Sequence, residues 1–509
     1  MPETISNNKR IAQNTLYMYL RMLVTMVVSL FTTRIVFRAL GIDDFGIYNV
    51  VGSVIVFFTF INSGLTTATR RYITAELAQG DEESQRNVFN LAILSHVLIS
   101  AIIIVLGETI GLWAVNTLLN IPADRMTAAN VVYQLSLFSA VLSVMQAPFT
   151  ATITANERMN IFAYISIFDV FAKLAVAFGV LYIFCDKLII YGILHAVSSI
   201  CVVLIYWFYC YRSFAMCHFQ RTHNRNLMKE IFGYMGWSLA GQGAVVMTNQ
   251  GVTVLVNMFF NVAANAAMGV SNQITSIVSN FVSNFQVAFN PQITKLYVAN
   301  NQADLNILAR RCSRISSYLV LIFMIPICFQ VRNFLTLWLG DYPEFAVEFC
   351  VFTLIAVFID SMSAPLWMIL SADKDVKKYQ IVISTIYALN FVGAWLVLKC
   401  GFAPYSVIIV RVIVYCVAIA ARLSLVKERV PTFVIMQWIR EVPVKTITIT
   451  ILPIVSCFLI DRINVDNHIM ELIVKGGLSF GISCLAVFLM GMQKNERSFI
   501  VNGILSKFK

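Results

Sequence analysis

The segment from Val88 to Trp113 reads VFNLAILSHVLISAIIIVLGETIGLW and contains a single charged residue, Glu108. A helix needs roughly 20 mostly apolar residues to cross a hydrocarbon layer of about 30 Å, so this segment is long enough to span a membrane. Its apolar run is continuous rather than alternating, which is typical of a transmembrane helix and excludes a membrane β-barrel. The segment therefore predicts an α-helical membrane protein.

The same pattern continues along the rest of the chain. Of its 509 residues, 59% are hydrophobic and 12% are charged, and the mean hydropathy is +0.77. Soluble globular proteins are roughly 45–50% apolar and about 25% charged, so a soluble enzyme, a disordered chain and a coiled coil are excluded. We predict an all-α polytopic membrane protein with fourteen transmembrane helices, near residues 14–37, 46–66, 88–113, 129–152, 161–184, 188–212, 231–259, 264–290, 313–335, 346–370, 379–400, 404–425, 444–460 and 469–491.

Basic residues are distributed unevenly between the loops, and the formal net charge is +11. With fourteen spans the loops alternate sides, and most Lys and Arg residues, Arg314 and Arg422 among them, are assigned to the face that carries both termini. Cytoplasmic loops are enriched in Lys and Arg, so we predict that both termini are cytoplasmic. The excess positive charge then reflects topology, and no nucleic-acid partner is expected.

Sequence motifs of enzyme chemistry are missing. The chain has no G-x-x-x-x-G-K-[ST] motif, which argues against a built-in ATPase, and no Cys-x-x-Cys motif. Its eleven cysteines lie mostly inside the predicted spans, where free thiols pack as small hydrophobic groups. No Ser/His/Asp constellation lies in an aqueous loop. We therefore predict a protein that is not an enzyme and that holds neither a metal nor a cofactor.

The first twelve predicted spans form two copies of a six-span unit. Asp43–Asn49 leads into the second span, and a shift of 223 residues gives Ala266–Asn272, which leads into the eighth. Pro148 and Pro365 match at a shift of 217 residues and are either equivalent hinges or static kinks. Both copies enter the membrane from the same side, as in parallel-repeat transporters. The predicted organisation is an N-terminal lobe (residues 1–213), a C-terminal lobe (224–425), two additional transmembrane helices (444–491) and a cytoplasmic tail (492–509).

Arg21 is the basic residue best placed for a central cavity. It lies roughly 10 Å into the first span at about 1.5 Å per residue. Asn14, Thr25 and Thr32 share its helix face. An ionisable group inside a membrane costs about 2.5–3.5 kcal/mol on insertion scales, so it usually has a function. We predict that Arg21 and Thr25 contact a substrate.

Further ionisable residues lie inside other spans. Asp169 and Lys173 are four residues apart in the fifth span, a spacing at which a carboxylate and an ammonium neutralise each other. They form either a static pair or a pair that opens when an anionic group or a proton arrives. Arg411 is a second candidate for anion binding, and Asp169 and Asp360 are candidates for ion coupling. His195 is either a proton relay or a packed, hydrogen-bonded side chain.

The seventh and eighth spans are rich in amides and hydroxyls. Lipid cannot satisfy such groups, so they face either neighbouring helices or a hydrated cavity. Amides both donate and accept hydrogen bonds, as sugar hydroxyls require. The candidates for sugar contacts are Gln242, Asn249, Asn272 and Asn280.

Several short motifs resemble those of a known family. Arg38-Ala-Leu-Gly-Ile-Asp-Asp-Phe-Gly-Ile-Tyr48, followed by Gly64-Leu-Thr-Thr-Ala68 and Arg70-Arg71, resembles the first-repeat signature of bacterial polysaccharide flippases. These are the O-antigen and capsule repeat-unit translocases of the multidrug/oligosaccharidyl-lipid/polysaccharide exporter superfamily. The resemblance covers about residues 10–425 and continues with Asn290-Pro291, Pro326, Trp338-Leu-Gly-Asp-Tyr342 and Leu370-Ser-Ala-Asp-Lys374.

The resemblance implies two six-helix lobes around a V-shaped cavity in the bacterial inner membrane. It implies that a polyprenyl-diphosphate-linked oligosaccharide moves from the cytoplasmic to the outer leaflet by alternating access. It also implies cationic residues that meet the diphosphate and coupling to an ion gradient, for which H⁺ and Na⁺ are the candidates. We expect a monomer whose partners are the lipid-linked oligosaccharide and membrane lipids, with a polysaccharide polymerase as a further candidate. The second lobe has Ala244 at the position equivalent to Arg21, so its cavity charge would be asymmetric.

The hypothesis from the sequence is a flippase in which Arg21, with Lys173 or Arg411, holds phosphate. The first alternative is a cation-coupled multidrug exporter of the same superfamily, which calls for an acidic cavity and would use Asp169 and Asp360. The second is a membrane glycosyltransferase or ligase, which the short loops on the outer face disfavour.

Overall fold

The computed structural model describes residues 2–79, 82–156, 158–183, 185–218, 246–287, 289–373, 377–462, 468–493 and 496–498. Within these ranges every regular element is a helix, which confirms the predicted all-α membrane fold. Ten helical stretches in the described residues are long and apolar enough to cross a membrane, or eleven when one bent pair is taken as a single span. The chain divides into two compact units, Met1–Ala266 and Ala267–Lys509. The lobe limits predicted from the sequence stay predictions.

The first unit is built from long helices joined by short connections. Its apolar core packs Ile47 and Val51 of the first helix against Ile103 of the second and Val132 of the fourth. Its helices are α1 (Pro2–Gln79), α2 (Glu82–Leu106), α3 (Leu112–Thr117), α4 (Met126–Ala155), α5 (Met159–Leu181), α6 (Lys187–Ser213) and α7 (Val252–Phe259), and α8 (Val262–Val287) begins here.

Helix α1 contains the first two predicted spans, which meet at a kink at Gly41. Gly41 has φ of 77° and ψ of −178°. Glycine populates positive φ without the steric cost that a Cβ atom would bring, so one residue replaces the loop expected between two spans. We call the parts before and after Gly41 the first and second arms of α1.

The second unit contains one broken helix. Its helices are α9 (Asn290–Val298), α10 (Gln302–Leu339), α11 (Ala346–Ser361), α12 (Ala364–Ala372), α13 (Lys377–Lys399), α14 (Ser406–Arg429), α15 (Ile435–Ile439), α16 (Lys445–Asp461) and α17 (His468–Ala486). Helices α11 and α12 form the bent pair, with an angle of 43° between them. Pro365 lies in the first turn of α12, whereas Pro148 lies inside the uninterrupted α4. The two prolines that the repeat relates therefore have different local structures.

Two arginines near the ends of predicted spans are buried inside helices of the second unit. Arg314 of α10 is 2% exposed and pairs with Glu496 at 2.7 Å. Arg422 of α14 is 5% exposed. Their assignment to the face that carries both termini stays a prediction, and polar partners hold each guanidinium inside the unit. The pair between Arg314 and Glu496 also connects α10 to the chain after α17.

Candidate functional site

A polar cavity of about 540 Å³ lies inside the first unit, lined by the second arm of α1 and by α4, α5 and α6. Tyr48, Gly52 and Ile55 form part of the wall on α1. The lining also contains the charged or titratable groups Asp169, Lys173 and His195 and the polar groups Ser136, Ser139, Ser143, Gln146 and Ser199. A membrane-embedded cavity with this lining is suited to water and small polar or charged ligands.

The polar residues of α4 reach the cavity because of their spacing. Ser136, Ser139, Ser143 and Gln146 recur every three or four residues, so they share one face of the helix. Sequence reasoning missed this stripe because a serine hydroxyl barely lowers the mean hydropathy of a span. Its helical periodicity was the signal that could have found it.

Asp169 and Lys173 form the ion pair that their spacing predicted. Lys173 Nζ donates to Asp169 Oδ2 at 2.9 Å, and the two side chains are 39% and 27% exposed. His195 of α6 lines the same cavity and interacts electrostatically with both charges. The structure thus brings a carboxylate, an ammonium and an imidazole to one site.

Arg21 lies in the first arm of α1, where it is half-buried. Its guanidinium carbon lies 4.9 Å from the centroid of the Phe162 ring on α5. Arg21 Nε is buried without a hydrogen-bond partner. Among the described residues, no carboxylate contributes to the electrostatics of its guanidinium. It also interacts electrostatically with the Tyr206 hydroxyl of α6. The Thr25 hydroxyl donates within its own helix to the Met22 carbonyl at 2.9 Å.

Two candidates from the sequence, Arg411 and Asp360, lie in the second unit. Arg411 of α14 is 5% exposed. The Asp360 carboxylate lies 3.6 Å from Arg422 Nη1. Arg422 donates to the Ser363 hydroxyl at 2.5 Å and to the Tyr387 hydroxyl at 2.9 Å. The sequence singled out Asp360 as a candidate for ion coupling but did not single out Arg422, the basic residue beside it. The role of Asp360 in ion coupling stays a prediction.

Of the four amide candidates, Gln242 lies outside the described residues. Asn249 precedes α7, and Asn272 and Asn280 lie in α8; all three are exposed. Their exposure leaves these amides accessible to a ligand. Their role in sugar binding stays a prediction. In the described part of the chain, no group of three His, Cys, Asp or Glu residues could hold a metal ion.

A sequence profile of the family described as "polysaccharide biosynthesis protein" matches residues 11–297. The chain is 20% identical over 377 residues to "uncharacterized membrane protein EpsK" of Bacillus subtilis (strain 168), covering 73% of this chain and 74% of that protein. These matches support a multi-pass membrane protein.

The fold resembles solved transporter structures. A structure of "lipid II flippase MurJ, inward closed conformation" superposes with a TM-score of 0.66 at 14% identity, covering 93% of this chain and 98% of that chain. A structure of "MATE in complex with MaL6" superposes with a TM-score of 0.59 at 14% identity, covering 82% of this chain and 96% of that chain. At these identities the likeness shows the fold alone.

Proposed function

The chain belongs to the polysaccharide biosynthesis protein family, and on that premise we propose that it flips a polyprenyl-diphosphate-linked oligosaccharide from the cytoplasmic to the outer leaflet. The movement uses alternating access in a bacterial inner membrane and draws on an ion gradient. No covalent bond forms or breaks, so the residues that matter bind and release cargo. The fold shared with MurJ and MATE proteins supports transport rather than catalysis.

The observation that carries the proposal is that Arg21 has no acidic partner among the described residues. Its guanidinium lies in a membrane helix without a carboxylate partner among the described residues. Arginine donates paired hydrogen bonds in a fork that matches phosphate oxygens. At about 4 Å and an effective dielectric of about 20, one phosphate charge contributes on the order of 4 kcal/mol before desolvation. A diphosphate headgroup would supply the missing anion.

Arg21 is the phosphate ligand in this proposal, and the other two candidate cations have different surroundings. Lys173 is already held by Asp169 at 2.9 Å. Arg411 is enclosed by its own unit at 5% exposure. We assign the sugar contacts to the exposed amides Asn249, Asn272 and Asn280 and to Gln242, with Thr25 beside Arg21.

Complementation of a strain that lacks this gene tests the proposal. The deletion should remove surface polysaccharide and leave lipid-linked oligosaccharide in the membrane, and the wild-type gene should restore export. Arg21→Ala should fail to restore export although the protein inserts at normal levels, and Arg21→Lys should restore it in part. Lys378→Ala, which removes a half-exposed cation outside the site, is the matched control. Normal surface polysaccharide with Arg21→Ala would refute the assignment.

A cation-coupled multidrug exporter is the second candidate, because the fold also resembles MATE proteins. Binding of cationic drugs requires carboxylates that are free of basic partners. Here Asp169 pairs with Lys173, and Asp360 lies beside Arg422. We therefore expect no change in the drug sensitivity of cells that express the chain. Resistance that is lost with Asp169→Asn or Asp360→Asn would favour this candidate.

A further inference from the structure

The Asp169–Lys173 pair differs from a cation-binding carboxylate in one respect: its cation is part of the protein. Lys173 Nζ occupies a position 2.9 Å from Asp169 Oδ2, and both side chains are exposed to the cavity. Asp169 is the only carboxylate among the described residues of the lining. A sodium ion at this carboxylate would have to displace the ammonium. The ion that this site can exchange without such a displacement is a proton.

We propose that Lys173 is a proton carrier, holding its proton while it is paired with Asp169 and releasing it when the pair opens. The site follows from its own geometry, and its role in driving transport rests on the proposed function. Lys173 is solvated in the open cavity, but an ammonium that protein encloses without a counter-ion is costly, whereas a neutral amine is not, so the change that separates the pair must also close the cavity around Lys173. A conformational change that separates the two side chains therefore favours the neutral amine.

The surroundings of the pair determine where the proton can go. The groups that face it are Tyr48 on the second arm of α1, Gln146 on α4, and His195 and Tyr206 on α6. Arg21 contributes from the first arm of α1 through its interaction with Tyr206. Of these groups, His195 has two ring nitrogens that can accept or donate a hydrogen bond to water in the cavity.

The cavity also provides acceptors for water. The Ser139 hydroxyl donates to the Leu135 carbonyl at 2.9 Å, and the Ser199 hydroxyl donates to the His195 carbonyl at 3.0 Å. Each hydroxyl oxygen keeps lone pairs that can accept a hydrogen bond from water. Such hydroxyls can hold a short water chain between the pair and an aqueous side.

The proposed step is a proton transfer without redox chemistry. One N–H bond of the Lys173 ammonium breaks, and its electron pair stays on Nζ. The proton passes to cavity water and leaves to the solution on that side. When the pair forms again, the amine takes a proton from the other side, and the N–H bond is restored.

Transient currents from purified protein in liposomes on a solid-supported membrane test this proposal without any glycolipid. A pH jump at constant Na⁺ should produce a current in the wild-type protein, whereas a Na⁺ jump at constant pH should produce none. Lys173→Arg keeps the positive charge and the ion pair, but arginine does not deprotonate, so the pH-jump current should fall at least about tenfold. Asp169→Asn removes the counter-ion and should move the midpoint of the current to lower pH.

Lys378→Arg is the matched control, because Lys378 pairs with Glu428 at 2.6 Å where both side chains are about half exposed. It should leave the current unchanged. A wild-type current that persists in Lys173→Arg, the lack of any wild-type current, or a Na⁺ current that Asp169→Asn abolishes would each overturn the proposal. Failed glycolipid flipping with an intact Lys173-dependent current would refute the proposed cargo and leave the proton site standing.

Discussion

The backbone of Gly46, on the second arm of α1, packs directly against the carbonyl group of Val262 at the start of α8. A Cβ atom built on Gly46 would lie 2.0 Å from the Val262 oxygen, well inside contact distance. Gly46 belongs to the motif that resembles the flippase signature, and the structure gives that glycine a physical reason. Six residues later, Gly52 lines the polar cavity, and a Cβ atom there would meet nothing within 4 Å.

These two glycines make a matched pair of substitutions. Gly46→Ala should lower the thermal unfolding midpoint, because a backbone carbonyl cannot move aside as a side chain can, and overpacking costs about 1–3 kcal/mol. Gly52→Ala should leave the midpoint unchanged or raise it, since it adds a methyl group to open space and alanine is a better helix former than glycine. Thermal unfolding of both variants in the same detergent checks the prediction, and equal midpoints for the two would contradict it.

Arg125 should stabilise the first unit strongly, because it connects two carboxylates from different parts of the chain, Asp44 and Asp186. Its Nε and Nη2 donate to the two oxygens of Asp44 at 2.8 and 2.6 Å, and its Nη1 donates to Asp186 at 2.7 Å. The Asp186 carboxylate also caps α6 by accepting from the Leu188 and Ile189 amides. Arg125→Lys cannot serve both carboxylates in this way and should cost about 2 kcal/mol, read as a lower thermal midpoint.

The cost of Arg125→Lys should depend on pH. Burial raises the pKa of Asp186, but hydrogen bonds from Arg125 and from the two backbone amides outweigh it and hold the pKa below its usual value. A lowered pKa contributes stability above the ordinary carboxyl pKa of about 4, and that stability is lost as the pH falls through the folded value. The midpoints of wild type and variant should therefore converge below about pH 4. A gap that widens in acid would exclude this explanation.

The buried pair between Arg314 and Glu496 should be far more sensitive than an exposed pair. The side chains of Arg314 and Glu496 are 3% and 8% exposed, and those of Lys378 and Glu428 are 52% and 51% exposed. Glu496→Gln leaves the buried Arg314 guanidinium without its charge partner, also breaks the half-exposed pair between Arg311 and Glu496 at 2.9 Å, and should cost about 3 kcal/mol. Glu428→Gln should cause no measurable change, because water solvates both partners. Similar thermal midpoints for the two variants would contradict this assignment of burial.

Arg422 should stabilise the bend between α11 and α12. Its guanidinium contacts Ser363 at the break and Tyr387 on α13. Tyr387→Phe and Ser363→Ala each remove one of the two hydrogen bonds that Arg422 donates and should cost about 1 kcal/mol for that bond, and Ser363→Ala also removes the hydrogen bond that Ser363 Oγ donates to the Asp360 carbonyl. Arg422→Met removes both hydrogen bonds and should cost more than either. The thermal unfolding midpoints of the three variants test this order. An Arg422→Met variant with the same midpoint as Tyr387→Phe would contradict it.

The membrane fold could be predicted from the sequence because long apolar runs without charges have few alternatives to helices. The pair between Asp169 and Lys173 was also predictable, since both residues lie on one helix and their spacing alone brings them together. The kink at Gly41 was not predicted: a single glycine of positive φ replaced the loop expected between the first two spans.

The polar cavity and the buried arginines depend on contacts between distant segments. The cavity forms where α1, α4, α5 and α6 meet, and neither periodicity nor hydropathy reports which helices are neighbours. Arg314 and Arg422 lie just inside the ends of the predicted spans 313–335 and 404–425, where hydropathy does not report whether a charged side chain is solvated or buried. Their partners, Glu496 and Ser363, lie far away in the sequence.

Flipping of a polyprenyl-diphosphate-linked oligosaccharide by purified protein in sealed vesicles tests the central claim most directly. The measured quantity is the rate at which the glycan moves from one leaflet to the other, read by a membrane-impermeant lectin. Wild-type protein should move it, and Arg21→Ala should slow the movement at least about tenfold, because each 1.4 kcal/mol of lost phosphate binding is worth about a factor of ten. Movement by Arg21→Ala at the wild-type rate would contradict the account.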